Sequence, residues 1–187
     1  MPFAKIEDPF ERVFGYIQKD IKQLLSLEAG GNFAIATLAA CACEPLARYW
    51  LKSGEGADAF ARVLPPGPFQ TIAKTLYNCL RNGFVHHYGC PDIDLGGGTL
   101  VQLAISRRKR AHLSVETIHG RTTLILNAQV LCSDLFRLFD SYRERLKESA
   151  EAIDHFLKTF NGLGPIKIAR ASEVAAWKDV TRRERYK

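Results

Sequence analysis

Nowhere in the 187 residues is there a run of about eighteen uncharged apolar residues, which excludes a helical membrane span. Even the apolar stretch from Phe33 to Leu51 is interrupted by Glu44, Pro45 and Arg48. The opening residues Met-Pro-Phe-Ala-Lys-Ile-Glu-Asp carry acids where a secretory signal would place its apolar centre, so the expected compartment is the cytoplasm. Cysteine is sparse and unpatterned. Five residues without a repeated Cys-x-x-Cys pair fit neither a disulfide framework nor a structural zinc module, and reduced buried thiols are expected. The Gly96-Gly97-Gly98 run lacks both the Lys-Ser/Thr ending of a phosphate loop and the spacing of a dinucleotide fingerprint. No repeat of solenoid period is visible either.

What is present suits one domain: 47% hydrophobic residues in a chain of this length can bury one substantial core. A net charge of +6 favours anionic partners, nucleic acid among them, without identifying one. Phe10, Val13, Phe14, Ile17, Ile21, Leu24 and Leu25 recur at helical spacing and predict a helix over 8–28 that stops at Gly30-Gly31. A second helix is expected from Asn32, as its cap, to Leu51, with Pro45 as a kink. It is apolar nearly all round and therefore central. After a short segment between Ser53-Gly54-Glu55-Gly56 and Pro65-Pro66-Gly67-Pro68, a third helix is predicted over 68–88. Phe69, Ile72, Ala73, Leu76, Leu80 and Phe84 form its packing face.

The period then changes to two. Val101, Leu103 and Ile105, then Leu113, Val115 and Thr117, then 123–127 predict a three-stranded antiparallel meander over about 99–128. Its turns fall at Arg107-Arg108-Lys109-Arg110 and His119-Gly120. Leu131, Leu135, Leu138, Tyr142, Leu146, Ile153, Leu157 and Phe160 predict one long last helix ending at Asn161-Gly162. The expected fold is mainly α (α+β): an antiparallel helical bundle over 1–162, with a small three-stranded antiparallel sheet inserted before the last long helix. A basic peripheral tail, 163–187, follows.

The chemistry-bearing residues lie on the third helix. At 100° per residue, Asn78, Arg81, Asn82 and His86 share a polar arc opposite the packing face. Asn82 and His86 are an i, i+4 pair, and Arg81 is long enough to reach a phosphate held over them. His87 points towards the apolar side of a regular helix, which favours His86 for proton transfer. Cys79, His86, His87 and Cys90 crowd one stretch, but Cys79 and His86 face away from His87, so neither a metal nor a cofactor is expected. Cys41 and Cys43, two apart on a helix, make a poor redox pair. Glu44 and Arg48 have the spacing of an intrahelical ion pair.

The stretch Leu80-Arg81-Asn82-Gly83-Phe84-Val85-His86-His87-Tyr88 resembles the motif of the HEPN superfamily, in which Arg and a following polar residue precede His by a short gap. The likeness extends over 8–88 and the last long helix, and covers neither the meander nor the tail. It implies a metal-independent endoribonuclease, in a toxin- or defence-like setting, whose composite site forms across a homodimer. His86 would then act as general acid or base, Arg81 would stabilise phosphoryl charge, Asn82 would orient substrate or histidine, and a cyclic phosphate would be the product.

A noncatalytic RNA-binding or protein-interaction module of the same family is the alternative, and a helical dimerisation protein is a third. An exposed polar helix face with a structural arginine would also produce this stripe. Arg107, Arg108, Lys109 and Arg110, helped by His112 and Arg121, can contact RNA phosphates or form a solvated hairpin tip. Lys178, Arg182, Arg183 and Arg185 in the tail carry the same two readings.

Overall fold

The computed structural model describes residues 5–83, 91–107 and 112–162. Its first rod starts as α1 (Glu7–Phe10), widens through a π-helical turn at Glu11–Gly15, and continues as α2 (Tyr16–Ser26). Phe10, Phe14 and Ile21 are buried on its inner side. The expected stop is present: Gly30 and Gly31 take φ values of 77° and 74°, a left-handed conformation that side chains resist. Gly31, not Asn32, occupies the cap position of α3 (Asn32–Leu46). Asn32 lies in the first turn, where its Nδ2 donates to the Ile105 carbonyl at 3.4 Å.

The apolar composition of α3 has the expected consequence. Ile35, Ala36, Ala39, Ala40, Ala42, Cys43 and Leu46 are all buried, and their mostly small side chains let several elements approach. Past Pro45, which has no N–H to close an α turn, the chain stays helical but goes over to a π turn at Ala47–Leu51. Three shorter helices follow: α4 (Gly56–Val63), α5 (Pro68–Thr71) and α6 (Ala73–Asn78). The predicted third helix is thus not one regular rod. Ile72, at φ −94° and ψ 6°, separates α5 from α6, and Cys79–Gly83 forms a further π turn. Ala73, Leu76 and Leu80 still form the buried face. Residues 84–90 lie outside the described residues.

The sheet differs from the predicted meander. It has four strands, β1 (Ile93–Asp94), β2 (Leu100–Ser106), β3 (Ser114–Ile118) and β4 (Arg121–Asn127), in the order β1-β2-β4-β3. Its β2 and β4 run parallel, with Leu103 opposite Leu124, while β1–β2 and β3–β4 are antiparallel. The physical reason lies in β4, whose residues Thr123, Leu124, Ile125, Leu126 and Asn127 are all buried. A strand covered on both faces belongs in the middle of a sheet. The half-exposed β3 is displaced to the edge, beside β4 and away from β2. The other expected turn is present: His119 and Gly120 have φ values of 51° and 75°, as a type I′ hairpin requires.

Asn127 joins the sheet to the last helices. It ends β4 and caps α7 (Ala128–Glu148), its Oδ1 accepting from the Gln129 and Val130 amides at 3.0 and 3.2 Å. Its own amide donates to His112 Nδ1 at 3.0 Å. The expected single last helix is broken at Ser149, which leaves helical geometry at φ −123° and ψ 111°. Its hydroxyl accepts from the Ala152 amide at 3.2 Å, starting α8 (Ala150–Gly162). The break lets α8 turn back against α7 and the Ala47–Leu51 turn.

There Phe156 joins Phe10, Phe14, Tyr49, Phe139 and Tyr142 in an aromatic core, with Phe10–Phe14 and Tyr49–Phe156 ring centroids 4.9 Å apart. The buried Tyr142 hydroxyl donates to the Tyr49 carbonyl at 2.8 Å. No helix among the described residues is long and apolar enough to cross a membrane. Because Asn127 caps α7 with its side chain, Asn127→Ala is expected to lower unfolding free energy by about 1–2 kcal/mol in chemical denaturation. An unchanged value would contradict the role given to this cap.

Candidate functional site

The central helix meets the π turn at Cys79–Gly83 through a small polar network. Glu44 is the only charged residue of α3. Its Oε1 accepts from Arg81 Nε in a short ion pair and from the Tyr77 hydroxyl at 3.1 Å. The Arg81 Nη1 donates to Asn82 Oδ1 at 3.0 Å. The expected Glu44–Arg48 pair is therefore replaced by one that crosses between helices. Tyr77 and Leu76 pack inward while Asn78 and Asn82 stay exposed, so the sequence-derived polar arc is present as far as Gly83.

These residues line one cleft of about 430 Å³. Glu44 and Arg48 stand on one side, Lys74, Tyr77, Asn78, Arg81 and Asn82 on another, and 54–57 close it at the start of α4. Gly56 is what permits this closure. A Cβ there would fall on the hydroxyl end of the Tyr77 ring, 2.8 Å from Cζ and 3.1 Å from Glu44 Cγ. Lys74 Nζ pairs with Glu55 Oε2 at 2.8 Å across the cleft.

The electrostatics follow from these contacts. Arg81 is held more firmly protonated than usual, first by its hydrogen bond to Glu44 and then by that carboxylate's charge. Desolvation, followed by the charge and hydrogen bond of Glu44, pushes the Tyr77 phenol up, so it remains a donor. The nearby Cys41 thiol is raised by burial and by Glu44, which keeps it in its unreactive form. Among the described residues Arg81 Nη2 makes no hydrogen bond or ion pair. A guanidinium fixed at Nε and Nη1 with Nη2 free can direct N–H groups at an anion without first losing its own rotamer freedom.

The structure brings Arg81 and Asn82 together; His86, with His87 and Cys90, lies outside the described residues. Arg108, Lys109, Arg110 and the tail 163–187 lie outside them as well. Arg107 closes the end of α2, its Nη1 and Nη2 donating to the Leu24 and Leu27 carbonyls at 2.8 and 2.6 Å, which favours a structural use of this residue. His112 is tied to the Asn127 amide, and Arg121 approaches Asp92 at 3.8 Å. No family model, curated protein or solved structure matches the chain.

Sequence reasoning missed Glu44 as the partner of Arg81 and Tyr77 as a second donor to the same carboxylate. A single carboxylate in an otherwise uncharged α3 was the signal available, and the nearer arginine at i, i+4 masked it. Two substitutions separate packing from charge at this site. Gly56→Ala is expected to cost about 1–3 kcal/mol in chemical denaturation through overpacking against Tyr77. Glu44→Gln, at a pair whose side chains are 42% and 40% exposed, is expected to cost no more than about 1 kcal/mol. The reverse order of effects would contradict this description of the cleft.

Proposed function

We propose that the protein is a HEPN-like, metal-independent endoribonuclease whose site combines Arg81, Asn82 and His86 at a homodimer interface. The observation that carries the reading is the pairing of Arg81 with Asn82 on an open cleft, where Nη2 makes no hydrogen bond or ion pair among the described residues. In this reading a ribose 2′-hydroxyl attacks the adjacent phosphorus and the 5′-oxygen departs, leaving a cyclic phosphate and a 5′-hydroxyl. One His86 takes the hydroxyl proton, and His86 of the partner subunit protonates the departing oxygen, so a twofold pair supplies both base and acid. Arg81 offsets the charge that builds on the phosphoryl oxygens, and Asn82 orients substrate or imidazole. Imidazole suits both proton transfers near neutral pH. Val85 and Tyr88 would supply apolar contacts at the interface to offset repulsion between the arginines.

One observation favours a noncatalytic module instead: Glu44 already neutralises much of the Arg81 charge. A protein that binds RNA through the cleft without cutting it would fit that arrangement.

Arg81→Ala and His86→Ala are expected to lower cleavage by at least about a hundredfold while circular dichroism and melting stay close to wild type. The i, i+4 alignment of Asn82 with His86 assumes a regular helix, whereas Cys79–Gly83 is a π turn, so His87→Ala belongs in the same assay. Loss of activity in the His87 variant alone would transfer the proton-transfer role to His87. Activity that survives exhaustive chelation is expected; activity lost to chelator and restored by a divalent ion would contradict the mechanism. Solution mass should give a dimer, and mixing Arg81→Ala with His86→Ala chains should restore part of the cleavage. A fully active monomer would rule out the composite site.

A further inference from the structure

Three cations and two carboxylates line the cleft: Arg48, Lys74 and Arg81 against Glu44 and Glu55. Glu44 is taken by Arg81 and Glu55 by Lys74. Arg48, which would be the i, i+4 partner of Glu44, is left at the cleft with no carboxylate paired to its guanidinium among the described residues. The residue is exposed, and its backbone is fixed: it belongs to the π turn Ala47–Leu51, and His155 Nε2 lies 3.2 Å from its carbonyl oxygen. The diversion of Glu44 to Arg81 therefore orients one arginine and leaves a second, in the same cleft, without a carboxylate partner among the described residues.

We propose that Arg48 is a second phosphate contact, gripping the phosphodiester next to the one held at Arg81. Arg48 lies four positions, about one helical turn, beyond the carboxylate that holds Arg81, and side chains one turn apart stand about 5–6 Å from each other, on the scale of one step along a nucleic acid strand. Among the described residues no carboxylate pairs with this guanidinium, and its planar fork suits two phosphate oxygens. The cleft then reads two linked phosphates rather than one. This inference rests on the reading of the cleft as an RNA site and adds a residue outside the Arg81-Asn82-His86 motif.

The test uses 2′-O-methyl octauridylate, which keeps the phosphates and blocks the attacking hydroxyl, beside the 2′-O-methyl dinucleotide with a single phosphodiester. Arg48→Gln is expected to bind the octamer about tenfold more weakly. The slope of log affinity against log salt should become shallower by about 0.7. Dinucleotide binding should stay at wild-type level, and Arg48→Lys should keep the wild-type salt slope. Unchanged octamer binding by Arg48→Gln, or equal losses on both probes, would overturn the contact. Arg48-dependent binding by a wild-type protein that cleaves no RNA would overturn the nuclease reading and leave this contact standing. Cleavage by wild type with a salt slope indifferent to Arg48 would overturn the contact alone, and a wild type that binds neither probe would overturn both.

Discussion

The attachment of Arg81 to Glu44 organises the cleft because of where Glu44 sits. A carboxylate in the central helix of a bundle has few places to find a counter-charge, and here the guanidinium comes from the π turn after α6. The geometry of that turn, the inward position of Tyr77 and the close approach of α4 at Gly56 are all arranged around the same carboxylate. A pair this exposed contributes little to global stability. Its consequence is positional: the arginine is held in one orientation, and Arg48, the helix-mate of Glu44, has no carboxylate partner among the described residues.

The rest of the fold supports that junction. Small residues along α3 bring α2, α4, α7 and the Cys79–Gly83 turn against one helix, and the cleft stands beside that helix. The aromatic core around Phe14, Tyr49 and Tyr142 fixes the far end of α3, where the Ala47–Leu51 turn carries Arg48. Catalytic and binding groups need such rigid supports, since a loose guanidinium loses orientational entropy each time it meets an anion. Both arginines that line the cleft lie in π turns, which place side chains off the regular helical register and recur at functional sites.

Helical periodicity made the bundle legible: the stripe from Phe10 to Leu25, the apolar α3 and the buried face of Ala73, Leu76 and Leu80 all follow from spacing. The Gly30-Gly31 stop and the His119-Gly120 turn were legible from glycine chemistry. Pairing in the sheet was not, because alternation reveals strands but not their neighbours, and only the burial of β4 on both faces explains its central place. The break at Ser149 was hidden in a list of apolar residues whose gap from Leu146 to Ile153 spans two helical turns. At the site, Arg81 and Asn82 could be read from the arc, whereas Glu44 and Tyr77 could not, since their partnership crosses thirty-odd residues of chain.

The proposed reaction is the attack of a ribose hydroxyl on its own phosphodiester by side-chain proton transfer. End-group analysis of RNA fragments made by the wild-type protein in chelated buffer tests it most directly. The account predicts 2′,3′-cyclic phosphate ends facing 5′-hydroxyl ends. Fragments with 3′-hydroxyl and 5′-phosphate ends would contradict it, because water rather than the ribose would then be the nucleophile.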